Sequence, residues 1–188
     1  DPPTVTMSFI VNDSPLAGTE GDKVTSRVIR DRLFKEAEGN VALRVAASES
    51  ETDAFEVAGR GELQLGILIE TMRREGYELA ISRPEVILHE TEEGLEEPYE
   101  QLVVDLESAY QGAIMERLGE RRGELRNMQL DGKGRVRLDY LIPARGLIGF
   151  QSEFRTLTAG TGLMFHVFDH YGPWVPGDIS RRSNGVLI

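Results

Sequence analysis

From Thr4 to Val11 apolar and polar residues alternate, with Val5, Met7, Phe9 and Val11 on one face. That period of two predicts a half-buried strand. Asn12–Asp22, rich in Gly, Pro, Ser and Asp, reads as a loop. The period then lengthens. Val28, Ile29, Leu33 and Ala37 fall on one side of a helix from about Thr25 to Glu38, ended by Gly39-Asn40. Alternation returns at Val41, Leu43, Val45 and Ala47, and Ser48–Asp53 reads as a turn. Phe55 and Val57 mark a third strand, broken by Gly59-Arg60-Gly61. Leu65, Leu68, Ile69 and Met72 set a helix over Glu62–Glu75, Gly76 caps it, and Glu78–Ser82 is a fourth strand. The order β-α-β-β-α-β is the split pattern of an antiparallel four-stranded sheet with two helices on one face.

The same order follows again about 90 residues later. Glu92–Pro98 reads as an acidic linker, Gln101–Glu107 as a strand and Tyr110–Arg121 as a helix. Leu125–Leu130 and Arg135–Pro143 form a hairpin around Gly132-Lys133-Gly134. A helix over Leu147–Thr158 and a strand over Leu163–Phe168 complete the unit. Beneath this shared order there is no clear sequence repeat. The expected architecture is therefore α+β: two tandem ferredoxin-like (βαββαβ) domains, residues 1–93 and 94–172. The turn-rich exit Gly172–Gly177 leads into residues 173–188, the expected start of a further unit. A final apolar run, Gly185-Val186-Leu187-Ile188, and an opening Asp1-Pro2-Pro3 point to an excised piece of a longer protein.

Composition narrows the chemistry. The 188 residues contain no cysteine, so disulfides and thiolate metal sites are excluded. No apolar stretch approaches the roughly 20 residues of a membrane span, and no signal-peptide pattern opens the chain. A cytoplasmic, non-membrane protein, monomeric as this fragment, is expected. The net charge is −11, unevenly spread. Residues 1–93 hold 10 basic and 19 acidic side chains, whereas residues 94–188 hold 11 and 13. A basic surface is what phosphate backbones require, so DNA binding is not expected, and any RNA contact belongs to local features of the second half.

Nucleotide and catalytic motifs fail in turn. Gln64 stands where a dinucleotide fingerprint needs its third Gly, and Lys133 is followed by Gly134 where a phosphate loop needs Ser or Thr. His166, His170 and Asp169 lack a further convergent metal ligand, and ordinary half-buried histidines are the plainer reading. Glu49, Glu51 and Asp53 fall in a polar turn, where solvated carboxylates are expected. No Ser sits in a G-x-S-x-G elbow. This piece is not expected to be an enzyme, to hold a metal or to carry a cofactor.

Its basic residues are better placed. Arg121, Arg122 and Arg126 lie at and just beyond a helix end, and Lys133 occupies a hairpin. Arg145 precedes the next helix and Arg155 lies within it. These six are candidate RNA contacts, with Gly146 beside Arg145 permitting close backbone approach to a phosphate. The plainer alternative is that cations near helix C-termini serve the macrodipole and solvate the surface.

Two stretches carry a family resemblance. Phe55-Glu56-Val57-Ala58-Gly59-Arg60-Gly61-Glu62-Leu63-Gln64-Leu65, with Arg73-Arg74-Glu75-Gly76-Tyr77-Glu78-Leu79 and Ser82-Arg83-Pro84, resembles domain III of elongation factor G relatives in the manner of the TypA/BipA translational GTPases. Asp139-Tyr140-Leu141-Ile142-Pro143-Ala144-Arg145-Gly146-Leu147-Ile148-Gly149-Phe150, closing with Leu157-Thr158-Ala159-Gly160-Thr161-Gly162, resembles domain V. Asn184–Ile188 resembles the opening of the family's own C-terminal domain. Gln64 departs from the pattern, which favours His. The resemblance implies a GTP-hydrolysing parent that binds the ribosome, touching ribosomal RNA and proteins. It also implies links to large-subunit assembly and to growth under stress or cold. GTP and Mg would belong to the parent's nucleotide domain, outside this chain. The competing readings are a tandem ferredoxin-like module that binds a regulatory small molecule and an enzyme with a site between the domains.

Overall fold

The computed structural model describes residues 2–11, 26–49 and 53–177. The chain divides into two compact units, Asp1–Ile87 and Leu88–Ile188, each with its own hydrophobic core. Both are ferredoxin-like.

In the first unit, strands β1 (Val5–Val11), β2 (Arg44–Ala47), β3 (Ala54–Gly59) and β4 (Leu79–Ile81) form an antiparallel sheet in the order β2-β3-β1-β4. Helices α1 (Ser26–Gly39) and α2 (Glu62–Arg74) cover one face. Alternation aims Val5, Met7, Phe9 and Val57 at the helices, where Ile29, Leu33, Leu65 and Met72 are fully buried. Removing those side chains from water is the main drive for the fold, about 1.5–3 kcal/mol for each large aliphatic. Arg32 on α1 joins the far end of α2 through Glu75, at 2.6 Å, and braces Glu36 one turn away. Gln64, the residue that departs from the family pattern, accepts a hydrogen bond from the Arg60 N–H at 2.7 Å. It thereby satisfies an amide just ahead of α2 that would otherwise have no helical partner.

The second unit repeats the plan. Strands β7 (Gly94–Glu107), β8 (Glu124–Leu130), β9 (Arg135–Pro143) and β10 (Leu163–Pro173) take the order β10-β7-β9-β8. Helices α3 (Gln111–Glu120) and α4 (Phe150–Leu157) pack on one face. Leu102, Val104 and Leu106 of β7 meet Ile114, Leu118 and Phe150 there.

Several boundaries differ from the sequence reading. The expected linker Glu92–Pro98 is a hairpin. Strands β5 (Glu85–Val86) and β6 (His89–Thr91) precede it, the first on β1 and the second on β7, and Gly94 turns the chain at φ 120. The two units therefore divide between Ile87 and Leu88, ahead of the boundary expected at residue 93. An acidic run read as linker because Glu97 sits in it, yet Glu97 is wholly buried. The helix expected from Leu147 begins at Phe150. Residues 144–146 form a single tight 3-10 turn, and Gly149, at φ 78, adopts a left-handed conformation that stops the two from merging. Strand β2 starts at Arg44, with Val41 almost fully exposed in the preceding turn. Strand β10 runs on to Pro173 past an irregularity between Phe168 and His170. The loop expected at Asn12–Asp22, the carboxylate Glu51 and the unit expected to begin at Ser180 lie outside the described residues.

Candidate nucleic-acid interface

All six cations singled out in the sequence belong to the second unit, and the fold divides them. Arg121 ends α3 and turns inward, with 7% of its surface exposed. Its Nη1 donates to the carbonyls of Gly146 and Ile148 at 2.8 and 2.9 Å. Its guanidinium also lies 5.1 Å over the Phe150 ring and 3.6 Å from Glu153. It ties the end of α3 to the turn before α4. The close approach requires Gly146, where an added Cβ would sit 2.4 Å from the Arg121 carbonyl oxygen.

Arg145 is equally engaged. Its Nε donates to Glu97 at 2.7 Å, and the remaining N–H groups donate to the carbonyls of Val175 and Gly177. Glu97 in turn accepts from the Val175 N–H. A buried ion pair thus clips the segment after β10 to the start of β7. Arg122, in a left-handed conformation at φ 66, reaches the Pro176 carbonyl at 3.4 Å and joins the same clip from outside.

Arg126, Lys133 and Arg155 remain at the surface. Arg126 projects from the irregularity in β8, 3.6 Å from Glu124. Lys133 tops the β8–β9 hairpin. Asp131 shapes that tip by accepting from the backbone N–H of Lys133, then of Arg135, and these bonds hold its carboxyl below the ordinary aspartate value. Arg155 lies on the outer side of α4. The structure therefore brings Arg126 and Lys133 onto one hairpin and places Arg155 on a helix.

The uncovered face of the sheet lay hidden in the sequence. Alternation in β7 and β9 sends one set of residues into the core, and the intervening residues build a surface of their own. Val103 and Leu141 floor a groove of about 440 Å³. Arg126, Arg137 and Asp139 stand on one side of it, Gln101, Asp169 and His170 on the other. Arg137 lies 3.0 Å from Asp139. Asp169 accepts from His170 and from Gln101, and both bonds keep its carboxyl below the ordinary value. Beside the floor, Phe165 pairs in register with Val103 and Val167 with Gln101, and they are 66% and 55% exposed.

The histidines do not converge. His166 is 2.6 Å from the buried Glu100, His170 stacks on Tyr99, and His89 stacks on Tyr171. Among the described residues no group of three or more His, Asp or Glu side chains is placed to hold a metal, and no helix is long and apolar enough to cross a membrane.

Comparison with known proteins completes the picture. The family described as Elongation factor G C-terminus matches residues 94–182. Over all 188 residues the chain is 60% identical to the large ribosomal subunit assembly factor BipA of Escherichia coli (strain K12). It is 58% identical to the protein of that name from Haemophilus influenzae and 55% identical to that from Synechocystis sp.. In each case the whole of this chain is matched, but it spans only about a third of the relative's length: 31% for the first and last, 30% for the second.

Proposed function

The chain belongs to the TypA/BipA family, and on that footing we propose that it is the ribosome-contacting portion of a GTP-dependent factor for assembly of the large ribosomal subunit. The observation that carries this reading is identity of 55–60% along the entire chain to proteins named for that task.

In this reading GTP and Mg belong to a nucleotide domain elsewhere in the full-length protein. The two ferredoxin-like units act by binding. The factor works in the cytoplasm, on ribosomal RNA and proteins and not on DNA, and its absence is felt most under stress or cold. The charge supports the mode of contact. A chain at −11 has no general affinity for polyphosphate, so a few exposed cations give position without strong non-specific attachment. Of the six cations singled out in the sequence, Arg126, Lys133 and Arg155 are the exposed ones available for that role. Arg122 is a marginal addition, and Arg121 and Arg145 serve it only indirectly, by holding the fold.

The test is genetic. Cells lacking the full-length gene should show fewer mature large subunits on a sucrose gradient, and more immature particles, with the defect deepening on cooling. Restoring the intact gene should correct the profile. An unchanged profile at low temperature would count against the assembly role.

A further inference from the structure

The uncovered face of the second sheet has four features that no role described so far explains. It carries an aromatic ring two-thirds exposed, Phe165, flanked by the exposed aliphatics Leu163 and Val167. It has an apolar floor at Val103 and Leu141. That floor is rimmed by side chains that donate, Gln101 and Arg137, and by others that accept, Asp139 and Asp169. Its far border is the β8–β9 hairpin, which bears four cations (Arg126, Lys133, Arg135, Arg137) against three carboxylates (Glu124, Asp131, Asp139) in a chain of net charge −11.

We propose that this face binds single-stranded RNA, with one base stacked on Phe165 and a neighbouring base seated over Val103 and Leu141. The inference rests on the ribosomal reading above and names the RNA it would meet. Each feature matches a part of an unpaired nucleotide. A base has a π face, which stacks on an exposed aromatic whatever its identity. It has an edge with donors and acceptors together, which a rim of amide, guanidinium and carboxylate groups can meet. Its phosphate is an anion, and Arg126 and Lys133 are exposed cations on the bordering hairpin. Arg126 and Arg137 are both about half exposed, so their guanidinium groups can leave Glu124 and Asp139 for a phosphate at little cost. Duplex RNA fits poorly. Its bases are stacked on one another, and its accessible groove presents sugars and phosphates to a surface that is mostly apolar or acidic along β7 and β10. An apolar protein surface fits poorly too, because closing over the face would take Asp105, Asp139 and Asp169 out of water.

The experiment uses the 188-residue chain and a fluorescent octamer of oligoadenylate, read by anisotropy at low salt, beside a duplex of equal length. The single strand should bind and the duplex should bind at least several-fold more weakly. Phe165→Ala should weaken the single strand about tenfold, in line with the loss of one stacked base. Arg137→Gln should weaken binding and reduce its salt dependence, whereas Arg74→Gln, in the first unit, should leave both unchanged. Because Phe165 is exposed, its variant should keep the parent's thermal midpoint, which separates lost binding from lost folding. Equal affinity for duplex and single strand, no binding of the single strand, or no effect of Phe165→Ala would overturn the proposal. Ribosome binding by the full-length protein decides what else falls. If it persists while the octamer fails, only the single-strand site is lost. If Phe165→Ala weakens ribosome binding without any octamer binding, the face belongs to a ribosomal protein instead.

Discussion

Arg121 and Arg126 carry the same charge and have opposite fates. Arg121 is held by two carbonyls, an aromatic ring and a carboxylate, so Arg121→Ala should cost about 2 kcal/mol in urea unfolding, the worth of a lost charged hydrogen-bond set. Arg126→Ala should change stability by less than about 0.5 kcal/mol. The sequence shows both as cations near a helix end and cannot separate them. What separates them is Gly146, whose missing Cβ lets a turn from a distant part of the chain come within reach of Arg121. Asp131 gives a residue-scale test of another kind. The amides of Lys133 and Arg135 hold its carboxyl below the ordinary aspartate value, so its bonds to them are intact at and above that ordinary value and lost as pH falls through the lower folded one. The amide proton shifts of Lys133 and Arg135 should therefore titrate together, with a midpoint below that of an ordinary aspartate, and Asp131→Asn should abolish that titration.

At the scale of elements, the strands with clean alternation were legible and those with buried charge were not. β1, β3 and β9 declare themselves because each buries alternate apolar residues. The start of β7 is disguised by Glu96 and Glu97, which read as solvated linker until Arg145 is seen to neutralise Glu97 from a remote turn. The late start of the helix expected from Leu147 depends on the left-handed Gly149, which residue type alone does not distinguish from Gly146 three positions before it. The buried pair makes a sharp prediction. Arg145→Ala leaves Glu97 uncompensated and should destabilise the second unit by about 3 kcal/mol, whereas Glu97→Leu with Arg145→Met should lose much less than either change alone. Equal losses in the single and double variants would mean that the pair acts only as a clip on Val175 and Gly177.

At the scale of the molecule, the repeated β-α-β-β-α-β order was readable from periodicity alone, and the family from two long stretches of sequence. The outward face of the second sheet was not, because the outward residues of a strand follow the same alternation as the core and carry no mark of their own. Two separate cores imply two folding units. Chains cut between Ile87 and Leu88 should each fold, with far-UV spectra that sum to that of the intact chain; a disordered half would show that one core depends on the other. Within the full-length protein, this chain should touch the ribosome. The most direct measurement is co-sedimentation of the full-length protein with large ribosomal subunits, in a GTP analogue, in GDP and without nucleotide, beside a variant with Arg126, Lys133 and Arg155 replaced by Gln. Binding should depend on the nucleotide, and the triple variant should weaken it at least tenfold and make it less sensitive to salt. Absence of binding in every nucleotide state would mean that this chain has no part in contacting the ribosome.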